Sequence, residues 1–122
     1  MFEVALLDWE LVHLGDRHED ITYTMSPLMG STDAKGNFLV AGFFPLDEYL
    51  DRYQRRSGLL IDPDRLAYYK VFNFWRQVVI TYATSHRAVI GRKTHQDILV
   101  GTSAMVAGVV LQSLHDALRK VI

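Results

Sequence analysis

Acidic side chains are the groups that could do chemistry near the start of this chain. Asp8 and Glu10 flank Trp9 at the end of a short apolar run, and Asp16 and Asp20 follow in a stretch rich in turn-forming residues. Carboxylate oxygens suit Mg²⁺, which usually takes one or two carboxylates together with substrate phosphates, so Asp8 alone is a poor magnesium site. In the structural alternative Asp8 caps a turn and Asp20 caps the next helix. Glu10 and Asp16 are then supporting or merely solvated groups.

Histidines are the second set of residues that could do chemistry. No pair of them has the spacing of a helical zinc site, and the five are His13, His18, His86, His95 and His115. The adjacent Ser85 and His86 do not indicate a nucleophile and its base, since the sequence has no nucleophile elbow or oxyanion motif. Neither a metal cluster nor a serine hydrolase is therefore expected.

Two elements must position the acidic residues. Phe2 to Leu7 is rich in aromatic and branched residues and predicts a strand that ends at Asp8. The turn formers after it predict a helix that begins at Asp20, with this aspartate as its N-cap. Residues 27 to 45 change to a Gly-, Ser- and Asp-rich composition and are interpreted as an exposed excursion.

Three further helices are predicted beyond that excursion. Apolar residues recur at helical spacing from Leu46 to Tyr53, and Gly58 supplies a stop signal. Asp62 and Pro63 predict the start of a long helix that is apolar on nearly every face, so we expect it to be central, with Trp75 in the core. The last helix is predicted from about residue 96 to residue 120, with an apolar stripe of Val106, Val110, Leu114, Leu118 and Val121.

Composition indicates a single domain over residues 1–122. About half the residues are hydrophobic (49%), and 13 basic residues balance 14 acidic ones, so no basic stripe favours nucleic acid. The chain has no cysteine, which excludes disulfides and thiolate chemistry and suits the cytoplasm. The longest apolar run, residues 98 to 111, falls short of the roughly 20 residues of a membrane span. Neither a membrane nor export is expected.

The combination of Asp-Trp-Glu at a strand end with the spacing HLGDxxxD resembles the C-terminal lobe of the aminoglycoside phosphotransferase family, small-molecule relatives of protein kinases. The stretches AGFFPLDEYLDRYQRRSGLLIDP and YYKVFNFWRQ extend the resemblance over nearly the whole chain. It implies a mainly α fold, the helical part of a kinase-like C-lobe with one N-terminal β-strand. It also implies that Asp8 binds magnesium on the nucleotide phosphates and that Asp20 hydrogen-bonds the catalytic-loop backbone. Glu10 and Asp16 match supporting positions of the motif.

The catalytic loop of that family is missing from this sequence. These kinases use a His-Gly-Asp motif followed by an Asn, and a Gly-containing nucleotide loop with a Lys. The sequence has no His-Gly-Asp, and its two Asn residues, Asn37 and Asn73, come after Asp8. We therefore expect the tail portion of a kinase C-lobe, inactive alone and without a cofactor of its own. Mg²⁺, ATP and a small-molecule acceptor belong to the intact relative.

A non-catalytic helical binding or assembly module is the alternative interpretation. In both cases a homodimer is expected, for two reasons. The strand over residues 2 to 7 would present an unpaired edge, and the apolar helices would be uncovered. The simplest arrangement is two-fold, with residues 2 to 7 pairing with their copy or lying across its helices.

Overall fold

The fold is known from a computed structural model that describes residues 12–91 and 104–121. Within these ranges the chain is mainly helical, as expected. The helices are α1 (Arg17–Thr24), α2 (Leu46–Ser57), α3 (Pro63–Gly91) and α4 (Ala104–Leu118), with a 3₁₀ turn at Pro27–Met29 and short strands β1 (Ser31–Thr32) and β2 (Phe38–Leu39). The strand predicted over residues 2 to 7 lies outside the described residues.

Helix α1 begins earlier than the sequence suggested, and its N-cap is Asp16. The Asp16 backbone is extended, with φ −83° and ψ 134°, and its side chain accepts a hydrogen bond from the backbone N–H of His18. The prediction that Asp20 is the N-cap is wrong, because Asp20 lies within the first turn of the helix. In that turn the negative charge of its carboxylate still interacts favourably with the positive, N-terminal end of the helix dipole.

The excursion over residues 27 to 45 contains a small antiparallel hairpin, with Thr32 opposite Phe38. Its turn is organised by Asp33, whose Oδ1 accepts from the backbone N–H groups of Lys35 and Asn37, each at 2.8 Å. Short polar side chains that hydrogen-bond the backbone in this way stabilise turns. Hydrogen bonds among its own polar groups therefore hold this exposed segment in a defined turn.

Helices α2 and α3 begin and end close to the residues that the sequence indicated. Gly58 follows α2 with φ 70° and ψ 8°, a left-handed conformation that glycine adopts without steric cost. Asp62 then caps α3, since its Oδ1 accepts from the backbone N–H groups of Asp64 at 2.9 Å and Arg65 at 3.2 Å. Both predicted boundaries are confirmed.

Two apolar clusters hold these elements together. The first joins α1 to the segment after β2 and to α2, and its buried members are Ile21, Met25 and Val40. The second lies where α3 packs against α4 and contains Phe74, Ala107, Val110 and Ala117. The stripe predicted for α4 is thus partly confirmed by Val110, whereas Leu118 and Val121 are exposed. No helix within residues 12–91 and 104–121 is long and apolar enough to cross a membrane.

The prediction that α3 is a central helix with Trp75 in the core is wrong for Trp75. Its side chain is 52% exposed, whereas that of its neighbour Phe74 is 3% exposed. The polar residues Asn73 and Gln77 are buried on the side that faces α1 and the Ser26 that follows it. Helix α3 therefore has one packed side and one exposed apolar side.

Candidate functional site

The polar residues of the HLGD stretch converge on the start of α3. His18 is completely buried, and its Nε2 accepts a hydrogen bond from the backbone N–H of Asp62 at 3.0 Å. Since Nε2 is an acceptor, the ring proton lies on Nδ1, which donates to Oδ1 of Asp16 at 2.6 Å. Both ring nitrogens are therefore occupied, and His18 links the N-termini of α1 and α3.

Asp16 has no unused oxygen in this arrangement. Its Oδ1 accepts from His18 and its Oδ2 accepts from Nη1 of Arg65 at 2.7 Å. The backbone N–H of His18, then its imidazole, and then Arg65 hold the pKa of the Asp16 carboxyl well below its usual range. Asp16 is thus a structural anion that fixes two helix ends, and its interpretation as a merely solvated group is wrong.

Glu19 forms a second polar centre one helical step away. It is buried, its Oε1 accepts from Nη1 of Arg76 at 2.5 Å, and its Oε2 lies 3.1 Å from Nε2 of His13. The Arg76 guanidinium also lies 5.5 Å from the ring centre of Tyr23. A Cβ atom on Gly15 would come within 3.1 Å of the His13 ring, so glycine leaves room for this contact.

Two buried amides extend the network along α3. The Nδ2 of Asn73 donates to the carbonyl of Glu19 and to Oγ1 of Thr22, both at 2.7 Å. The Ser26 hydroxyl donates to Oε1 of Gln77 at 2.7 Å. These contacts tie the whole length of α1 to α3 by polar groups, and buried polar groups are costly to leave unpaired.

Asp20 differs from its acidic neighbours. It is exposed, and within the described residues its carboxylate makes no hydrogen bond or ion pair; only its carbonyl accepts, from the Thr24 hydroxyl at 3.0 Å. Of the predicted site residues, the structure therefore places Asp16 and Asp20 on one turn and gives them different surroundings. Asp8 and Glu10 lie outside the described residues.

The described carboxylates do not fit a magnesium centre. No group of three or more His, Asp or Glu side chains that could hold a metal ion occurs in the part of the chain that the structure describes. Asp16 is neutralised by Arg65, and Glu19 by Arg76. A hard cation needs several free oxygen ligands, and these two residues offer none.

A cleft of about 220 Å³ opens between α3 and α4, away from this network. Its apolar wall includes Met25, Phe38 and Phe74, and Lys70, Asp116 and Lys120 also line it. Burial, and then the positive charge of Lys120, lowers the pKa of the Lys70 ammonium. An apolar wall with charges of both signs suits a small amphipathic molecule without selecting one class.

Comparisons with models of protein families, with curated proteins and with solved structures find no significant match to this chain. The assignment of function therefore depends on the residues themselves.

Sequence reasoning missed the roles of His18, Glu19 and Arg76. One local signal was available, because Asp16 and Glu19 have the spacing of a capping box, with an N-cap residue followed three positions later by Glu. That spacing predicts the start of α1 correctly. It does not predict the partner of Glu19, since Arg76 is 57 positions further along the chain.

Proposed function

We propose that this chain is the substrate-side helical part of an aminoglycoside phosphotransferase-like kinase. In the intact enzyme the γ-phosphoryl group of ATP would pass to the hydroxyl of a small molecule, in the cytoplasm. The observation that carries the proposal is the contrast between Asp16 and Asp20. Both carboxylate oxygens of Asp16 are engaged in holding α1 on α3, whereas Asp20, one turn later, has an exposed carboxylate that makes no hydrogen bond or ion pair among residues 12–91 and 104–121.

A free carboxylate in the first turn of an anchored helix is suited to accept hydrogen bonds from backbone N–H groups. The resemblance gives this role to Asp20, with the catalytic loop as donor. The network of Asp16, His18 and Arg65 would then hold the carboxylate in place. In the same proposal Asp8 is a metal ligand.

The catalytic base, the second metal ligand and the nucleotide contacts of such a kinase are not found among the motifs of this sequence. They would come from another segment of the intact enzyme. We therefore expect this chain alone to transfer no phosphoryl group. Its contribution would be the acidic motif and a helical wall for the acceptor.

The first experiment reads the genomic sequence immediately before the Met1 codon. An in-frame His-Gly-Asp motif followed by Asn supports the kinase proposal, and its absence contradicts it. Where the motif is present, the longer product is assayed with magnesium, ATP and a panel of hydroxylated small molecules. Asp8→Ala is expected to abolish turnover.

Asp20→Asn in that longer product tests the specific role of Asp20. We expect kcat to fall and thermal stability to fall only slightly, because within the described residues Asp20 makes no side-chain contact and the substitution removes only its interaction with the helix dipole, about 0.3–1 kcal/mol. The matched control is Asp51→Asn, an exposed acidic residue on α2, which should leave kcat unchanged. Wild-type kcat in Asp20→Asn would remove the main support of the proposal.

A helical assembly module without catalysis is the second candidate. The exposed apolar side of α3 favours it, because monomeric proteins rarely leave a large contiguous apolar patch uncovered. Turnover by the chain alone that disappears in Asp8→Ala would contradict both candidates.

A further inference from the structure

The exposed side of α3 carries a regular seam of large side chains. Its members are Tyr68, Phe72, Trp75, Val79 and Tyr82, spaced four, three, four and three residues apart. All but the half-buried Phe72 are exposed. This is the alternation of a coiled-coil seam, whose average period of 3.5 residues keeps one face of a helix against a partner helix.

The seam lies opposite the packed side of α3. The buried residues Asn73, Phe74 and Gln77 face α1 and α4, and Trp75 is on the far side of the helix. The rings of the seam are already aligned along the helix, since those of Tyr68 and Phe72 are nearly parallel with centres 6.4 Å apart. The next pair, Phe72 and Trp75, has centres 6.0 Å apart. The rings from Tyr68 to Trp75 are thus in contact along the helix, and Val79 and Tyr82 continue the exposed apolar face.

The seam is complementary to itself when two copies run antiparallel. Tyr68 and Tyr82 are both seven residues from Trp75, so each would lie opposite the other in the second copy. Asp64 and His86, both exposed, are also placed symmetrically about Trp75. An acidic residue would therefore face an imidazole at each end of the strip, whereas a parallel pair would place like residues together.

We propose that the seam is a self-association surface, on which α3 of a second copy of this chain packs antiparallel about a two-fold axis near Trp75. This surface is distinct from the strand over residues 2 to 7. It does not depend on the phosphotransferase proposal, because mass and cross-linking measurements test it and activity does not.

Sedimentation equilibrium of the full chain at about 10–100 μM, the range over which a micromolar dimer forms, gives the first test. We expect the wild type to be a dimer and Trp75→Glu to be a monomer with an unchanged far-UV circular dichroism spectrum. Phe43→Glu is the matched control, since Phe43 is exposed on a turn outside the seam, and it should remain a dimer. A monomeric wild type, or a dimer that survives Trp75→Glu, would overturn the proposal.

Cysteine cross-linking tests the antiparallel arrangement without disturbing the centre of the seam. The chain has no cysteine of its own, so Tyr68→Cys and Tyr82→Cys each introduce one thiol. After oxidation, the mixture of the two variants should give a disulfide-linked dimer and each variant alone should not. In the antiparallel pair, like positions lie about 20 Å apart, and a disulfide needs Cα atoms within about 7 Å. Cross-linking of either variant alone, or none in the mixture, would contradict the arrangement.

Discussion

The two sides of α3 are organised on opposite principles. The side toward α1 buries polar side chains and pairs most of them, with Asn73 on Thr22 and Gln77 on Ser26. The far side exposes Trp75 and the rest of the apolar seam. A polar network fixes one geometry, because each member must find its partner, whereas an apolar strip accepts any surface of similar shape. The packed side therefore specifies how the chain folds, and the far side is available for association.

The largest effect is expected from two neighbouring residues on these opposite sides. Phe74→Ala should lower the free energy of unfolding by about 3–5 kcal/mol, because it leaves a cavity between α3 and α4. Trp75→Ala should change it by no more than about 0.5 kcal/mol when measured on the monomer. Urea unfolding at sub-micromolar concentration provides both values. Equal losses in the two variants would mean that the two sides of α3 do not differ.

His18→Ala tests the centre of the packed side. The substitution removes a fully buried ring, leaves the Asp62 N–H without its partner, and takes away one of the two hydrogen bonds that Oδ1 of Asp16 accepts. We expect a loss of about 2–4 kcal/mol in the free energy of unfolding. His115→Ala, on the exposed face of α4, is the matched control and should be neutral. A loss below about 1 kcal/mol in His18→Ala would show that the histidine link contributes little.

Glu19→Gln measures how much a buried ion pair contributes to stability, for comparison with an exposed ion pair on α2. The amide keeps the shape of the side chain but removes the charge that neutralises Arg76, so a loss of about 1–2 kcal/mol is expected. Glu48 pairs with Arg52 on the surface of α2, and Glu48→Gln should cost less than about 0.5 kcal/mol. Chemical denaturation of the two variants gives this comparison directly. The interpretation fails if the surface variant loses as much as the buried one.

The smallest expected effect is a change in pH dependence. The folded-state pKa of Asp16 lies below its unfolded-state value of roughly 3.9, so its contribution is complete above about pH 4 and is lost as the pH falls toward the folded-state pKa. Asp16→Asn should therefore flatten the decline of the unfolding midpoint below about pH 4. Asp51→Asn should keep the wild-type slope. Identical acid profiles for wild type and Asp16→Asn would contradict the assignment.

Local signals in the sequence predicted the helix ends well. Gly58 and Asp62 each act through their own backbone or through the next few residues, and both boundaries were found where expected. The start of α1 was misplaced because Asp16 and Asp20 are both plausible caps. Only the capping-box spacing to Glu19 distinguishes them.

The two sides of α3 could not be assigned from the sequence, because residue type is a misleading guide here. Hydrophobic patterning expects Asn73 and Gln77 outside and Trp75 and Val79 inside, and the structure has the reverse. Each amide is buried with one of its polar atoms paired: Nδ2 of Asn73 with groups on α1, and Oε1 of Gln77 with the hydroxyl of Ser26, just after α1. Those partners are about fifty positions away, and single-sequence patterns carry no information at that range.

The hydrogen bond between His18 and Asp62 also bears on where the chain can accept an insertion. It closes a loop of more than forty residues that contains the hairpin and α2. The entropic cost of closing a flexible loop grows only with the logarithm of its length, by about 0.6 kcal/mol for each doubling. The hairpin tip around Ala34 and Gly36 is exposed and lies far along the chain from both ends of that closure. This tip is therefore where the chain should accept an inserted segment, such as an epitope or a fluorescent reporter, without separating α1 from α3.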